Sequence, residues 1–269
     1  MQRTSACSLA VLLWALFSLS ATARPHARAL LNQPLSSSSA PSPSSSSLRR
    51  PSPIRPRSSP PPALHWGCAS LDRSVALTFD DGPSEHTERL LDILKQLEVR
   101  ATFFVIVNAA LARPATVRRA LAEGHTVGLH TLSHANLTSL DEAGLTREVD
   151  YAAAALRSIT GQPPLFFRPP FGAVTPSIRD RVFNLGMDVA LWSGGCIDWL
   201  LLNATAETRV EIAGLADAGG LLCLHDTHGE TVDGVAGLVA ALRSSDGWVN
   251  PQGRNIVSIG HCAGTDGAP

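Results

Sequence analysis

Two adjacent carboxylates, Asp80 and Asp81, close an apolar run in Thr78-Phe79-Asp80-Asp81-Gly82-Pro83. About fifty residues later, His130 and His134 stand four apart in His130-Thr131-Leu132-Ser133-His134. One carboxylate and two imidazoles make a three-ligand set with an open position, the kind that catalytic zinc uses. The second carboxylate is then free to take a proton from the activated water. The combination points to metal-assisted hydrolysis.

Each piece alone has a plainer explanation. Asp, Gly and Pro are ordinary turn formers, and a His pair at this spacing is more often surface or core than ligand. Arg168-Pro169-Pro170-Phe171-Gly172 reads as a rigid turn with a paired Arg, Asp198-Trp199 as a buried aromatic with a capped neighbour, and Leu224-His225-Asp226 as a strand end. What these clusters share is position. Short apolar runs predict strands at Val75 to Phe79, Thr102 to Val107, Thr126 to Leu129, Leu165 to Phe167, Met187 to Trp192, Gly220 to Leu224 and Ile256 to Ile259. Asp80 and Asp81, His130, Arg168, Asp198 and His225 each fall at or just after the C-terminal end of such a run, where α/β barrels build their active sites.

Helical patterns fill the intervals, at Glu85 to Leu97, Ala115 to Glu123 and Leu140 to Ile159, the last closed by Gly161. Strand and helix in alternation predict an α/β fold with parallel pairing, a barrel or a doubly wound sheet.

The chain organises around that domain. Residues 1–23 carry a basic start, an apolar run from Leu9 to Leu19 and the small-residue site Ala21-Thr22-Ala23, the pattern of a cleavable secretory signal; the run is too short for a membrane span. Residues 24–63 are Ser, Pro and Arg with few bulky apolar side chains, a composition that cannot offset its conformational entropy and reads as a flexible spacer open to O-glycosylation. Residues 64–269 are left as the catalytic domain, expected to be monomeric.

Seven of the 22 basic residues precede Asp72, the first acidic one, so the remainder holds 15 basic and 23 acidic residues, a net charge of −8. That excess argues against a nucleic-acid partner and suits a neutral or cationic polymer. The basic tail reads as solvated, with an acidic cell-wall polymer as its alternative partner. Cys68, Cys196, Cys223 and Cys262 survive signal removal and allow three pairings. Cys68 to Cys262 is favoured, since closing so long a loop stabilises by roughly 4 to 5 kcal/mol in the chain-entropy model. Asn136-Leu137-Thr138 and Asn203-Ala204-Thr205 are glycosylation sequons, the second expected to be the more accessible.

In order and in residues, TFDDGP (Thr78 to Pro83), HTLSH (His130 to His134), RPPFG (Arg168 to Gly172), the Asp198-Trp199 pair and the strand ending at His225 resemble the polysaccharide deacetylases of carbohydrate esterase family four, across roughly Ser74 to Ile259. The resemblance implies a distorted (β/α) barrel of about seven parallel strands and metal-dependent removal of acetyl groups from sugars. It makes Asp81, His130 and His134 the metal ligands and Asp80 the general base. A carboxylate bound to a cation is a poor base, so the free neighbour must accept the proton.

Zn2+ suits two imidazoles and one carboxylate, with Co2+ or another divalent transition metal as substitutes. By the same resemblance His225 is the general acid, Arg168 orients Asp80, Asp198 fixes the His225 tautomer, the Phe171 backbone N–H serves as an oxyanion donor, and Trp199 with Cys223 walls the acetyl pocket. Phe171, Gly195 and Cys223 depart from the family's usual Tyr, Asp and Leu, and a Cys196–Cys223 bridge would alter the pocket wall.

The resulting expectation is a secreted enzyme, free or associated with the cell wall, acting on an acetylated polysaccharide or oligosaccharide by metal-hydroxide attack, most simply removing N-acetyl groups from chitin. Acetylxylan, peptidoglycan and a non-catalytic carbohydrate-binding role are the alternatives.

Overall fold

The computed structural model describes residues 64–65, 68, 74–195, 198, 220–243 and 255–264. The signal-like segment, the whole of the spacer, Cys196, Trp199 and the Asn203 sequon lie outside the described residues. Among the described residues nine strands form one sheet: β1 (Leu64–His65), β2 (Ser74–Asp80), β3 (Thr102–Val105), β4 (Thr126–Leu129), β5 (Phe166–Phe167), β6 (Asp188–Ala190), β7 (Gly194–Gly195), β8 (Gly220–His225) and β9 (Asn255–Ile256). Along the sheet they run β1-β6-β5-β4-β3-β2-β8-β7, with β9 on β2. Every described pairing is parallel. The expected seven strands are present, and the two-residue strands β1 and β7 join them; the arrangement is the curled α/β half-barrel that the motifs imply.

Alternation along each strand divides the sheet into two faces. Val75, Leu77 and Phe79 of β2, Phe103 and Val105 of β3, Leu129 of β4, and Leu222 and Leu224 of β8 belong to the large core under the helices. Ala76, Phe104, Phe166, Ala190 and Leu221 form a smaller cluster on the other face, with Ile259 and Cys262. That face carries the site. Ala76 pairs with Leu221, Thr78 with Cys223 and Asp80 with His225, so three successive layers rise from an apolar floor to the functional residues.

The helices are α1 (Thr87–Gln96), α2 (Val107–Ala112), α3 (Pro114–Ala122), α4 (Glu142–Leu145), α5 (Ala152–Thr160), α6 (Pro176–Asn184), α7 (Gly229–Arg243) and α8 (Ile259–Ala263). Three sequence expectations need correction. The strand expected over Thr102 to Val107 stops at Val105, because the N–H groups of Val107 and Asn108 donate instead to the Thr131 and Leu132 carbonyls as α2 begins. The strand expected to reach Ile259 is confined to β9, and Ser258 caps α8 by accepting from the His261 N–H. The long helix expected over Leu140 to Ile159 contains a π-helical stretch, Thr146–Tyr151, between α4 and α5, and ends at Gly161 with φ 77°. The Cys68–Cys262 bridge is formed and closes the apolar floor beside Ala76 and Phe104. Cys223 is a free, buried thiol, so the Cys196–Cys223 bridge is absent. Asn136 is exposed.

Candidate metal centre and its surroundings

Asp81, His130 and His134 converge, their donor atoms lying within 4.8 Å of one another. Asp81 Oδ1 is 3.4 Å from Nε2 of each histidine and is buried without a hydrogen-bond partner. Such an orphaned buried oxygen is costly, and a cation between these three donors would satisfy it. Burial pushes the Asp81 carboxyl upward, but the His130 ring beside it, with the charges of His134 and His225, outweighs it and holds the group at about 2. Burial pushes the His134 ring downward, which favours the neutral imidazole that ligation needs. His130 Nδ1 lies 2.7 Å from the Arg168 carbonyl. A carbonyl only accepts, so Nδ1 carries the proton and Nε2 keeps its lone pair toward Asp81. The donor set therefore fits a divalent transition metal.

Strained backbone holds this set in place. Five described non-glycine residues have positive φ, and four of them line the site: Asp81 (74°), Thr131 (67°), His134 (65°) and Phe171 (61°). Each costs on the order of 1–3 kcal/mol and persists only where its surroundings over-determine it. Glu148 is one such determinant. Buried on the π-helical stretch, it accepts from the Leu132 N–H at 3.1 Å and, at the Ser133 end, from both N–H and hydroxyl at 2.9 and 2.7 Å. His134 N–H donates to Thr131 Oγ1 at 2.9 Å. Nothing in the sequence marked Glu148, because its role depends on a helix register that hydrophobic spacing does not reveal.

Asp226 also went unassigned. Fully buried beneath the Asp81–Gly82 turn, it accepts from Thr87 Oγ1 at 2.5 Å, and burial raises it to about 7. A Cβ on Gly82 would come within 2.2 Å of its carboxylate, so only glycine fits there.

Asp80 and Arg168 are paired as expected. Arg168 is 0% exposed and donates to Asp80 Oδ1 at 2.7 Å, Thr78 Oγ1 at 2.6 Å, and the Ala190 and Leu191 carbonyls, while Phe104 stacks on the guanidinium. With one oxygen held by Arg168, Asp80 turns Oδ2 toward His130 Nε2, 4.0 Å away, and receives the Cys223 Sγ at 3.5 Å.

Across the site, His225 Nδ1 lies 2.7 Å from Asp198 Oδ1; Asp198 also accepts from the His225 N–H and from Thr231. Burial works against the charged ring, yet the Asp198 hydrogen bond, with further pull from Cys223, Asp198 and Asp80, raises His225 to about 10. Phe171 is 45% exposed, and its ring meets His134 edge-on at 4.8 Å. Gly195, with φ 79°, packs so close that a Cβ would lie 2.3 Å from the Cys223 carbonyl oxygen; the aspartate common at this position in the family would not fit this backbone.

A curled parallel sheet with a carboxylate–imidazole cation pocket and a second carboxylate beside it defines a class of metal-binding α/β proteins. Within that class the chain belongs to the polysaccharide deacetylase family. The family model described as polysaccharide deacetylase matches residues 69–190. A chitin deacetylase from Pestalotiopsis sp is 33% identical over 220 residues, covering 79% of this chain and 72% of that protein. A peptidoglycan-N-acetylglucosamine deacetylase, PgdA, from Listeria monocytogenes is 34% identical over 192 residues, 71% of this chain; the aligned part spans only 39% of that protein's length. The solved chitin deacetylase of Colletotrichum lindemuthianum superposes with a TM-score of 0.66 at 30% identity, covering 75% of this chain and 92% of that one. Among the described residues no helix is long and apolar enough to cross a membrane.

Proposed function

We propose that the protein is a secreted, metal-dependent deacetylase that removes N-acetyl groups from N-acetylglucosamine polymers or oligomers, most simply chitin, releasing acetate and a free amine. The observation that carries this reading is the convergence of Asp81, His130 and His134 with Asp80 beside them and His225 opposite Asp80 on the neighbouring strand. A divalent cation held by Asp81, His130 and His134, with zinc the expected one, would supply Lewis acidity for water and for the acetamide carbonyl.

The chain's own groups supply the proton traffic. Asp80 accepts a proton at Oδ2, its Oδ1 being held by Arg168. His225 delivers one from Nε2 to the departing amine, because Nδ1 is committed to Asp198, and a group raised to about 10 carries that proton at neutral pH. The Phe171 backbone N–H is the proposed oxyanion donor, and its left-handed φ is the backbone distortion expected where a donor must be aimed. Cys223 is the proposed wall of the acetyl pocket.

Peptidoglycan is the second substrate to consider, since a relative of similar identity bears that name. Intact ligands, base and acid weigh against a role limited to carbohydrate binding. Acetate release and product mass spectrometry on defined chitin oligomers, peptidoglycan fragments and acetylxylan test the reading. N-deacetylated chitin oligomers are expected; activity on acetylxylan alone would remove the amide substrate, and no turnover in the presence of zinc would remove the enzyme.

A further inference from the structure

The site contains a second set of donors, two of which the proposed reaction also uses. Cys223 lies on the inner face of β8, 0% exposed, with Thr78 opposite on one side and Gly195 on the other. Its Sγ, one Asp80 oxygen and one His225 ring nitrogen lie within 4.8 Å of one another. The Sγ to Oδ2 separation of 3.5 Å is about what two ligands of one tetrahedral zinc require, given bonds of roughly 2.0–2.3 Å. Both flanking ligands are already oriented from behind, Asp80 by Arg168 and His225 by Asp198, as metal-binding carboxylates and imidazoles usually are.

We propose that Asp80, Cys223 and His225 form a second metal site, selective for a thiophilic cation such as cadmium or excess zinc, whose occupation switches the enzyme off. Selectivity follows from the donors: two imidazoles and a carboxylate serve the first site, whereas a thiolate draws softer ions to the second. Binding releases two protons to solvent, one from the Cys223 thiol and one from His225 Nε2, since Nδ1 is held by Asp198. Inhibition follows because the second ion ties up the oxygen of Asp80 and the nitrogen of His225 that the reaction uses. That inhibitory half rests on the roles proposed above; the binding half does not.

Cadmium titration of the purified full chain separates the two halves. Two ions per chain are expected, one of them giving an ultraviolet thiolate-to-cadmium charge-transfer band. Cys223→Ser, nearly isosteric, should bind one ion without the band, and His134→Ala should keep the band. A single ion without the band, or the same band in Cys223→Ser, would overturn the site. In parallel, acetate release from chitin oligomers should rise with the first equivalent of zinc and then drop by about 100-fold in excess, a loss comparable to removing a general base, while the ratio of the two rates stays near one in Cys223→Ser. Sulfur-bound cadmium with undiminished turnover would overturn the inhibition and, with it, the roles given to Asp80 and His225.

Discussion

The two walls of the site are built differently. On the β3–β5 side, His130 and His134 sit on a loop held from several directions: α2 donates to its carbonyls, Glu148 takes its N–H groups, and the backbone passes through left-handed φ at Thr131 and His134. On the β7–β8 side, one carboxylate, Asp198, orients His225, and the family departures Gly195 and Cys223 face each other across the strand pair. Such over-determination suits the proposed ligand role of the first wall, since a metal tolerates little error in ligand position. The second holds one imidazole, positioned by Asp198 through its ring and its backbone N–H.

That contrast can be broken at graded cost. The largest effect is expected from His134→Ala, which should lose bound metal and activity together in elemental analysis and acetate assay; a metal-replete active variant would dissolve the ligand wall. Asp80→Asn keeps an acceptor for Arg168 but removes the base, so turnover should fall by about 10²- to 10⁴-fold with metal retained, and metal loss would refute the division between the two aspartates. Glu148→Gln leaves all ligands in place but weakens the grip on their loop. Metal affinity should drop by roughly 10- to 100-fold, as for other groups that orient ligands, measured by competition with a chelator.

On the opposite wall, Asp198→Asn should act on pH dependence. In the proposed acid role the imidazolium is the competent form, so the rate should fall as pH rises through the His225 value; without the Asp198 charge, the alkaline limb of kcat/KM should move down from near 10 toward the ordinary 6.5. Stability follows the same sign. A raised group stabilises fully below about 6.5 and loses that contribution as pH climbs through about 10, so the variant's Tm deficit should shrink at alkaline pH. Smallest of all is Phe171→Tyr, which adds a hydroxyl to a half-exposed ring and keeps the backbone donor; a change in kcat below about 10-fold is expected, and a larger one would show that the side chain takes part.

Asp80, Asp81, His130, His134, Arg168 and His225 were legible because parallel strands buried on both faces leave a plain trace: apolar runs that stop abruptly at polar residues. The Arg168–Asp80 and Asp198–His225 pairs came with the family resemblance and are present as hydrogen bonds. Glu148 and Asp226 were not legible, since both act from positions whose facing depends on the π-helical stretch and on the Gly82 turn. The β9 strand was read too long because an apolar run does not show where a capping serine will start a helix.

By itself the sequence determined the donor types, their order and their placement at strand ends, for these follow from local composition and from apolar runs that stop where the strands do. Tertiary structure alone decided that Cys223 faces Asp80 and that Gly195 excludes a side chain. Those are contacts between strands brought together by register, and register is settled by packing across the whole sheet, not by any one strand.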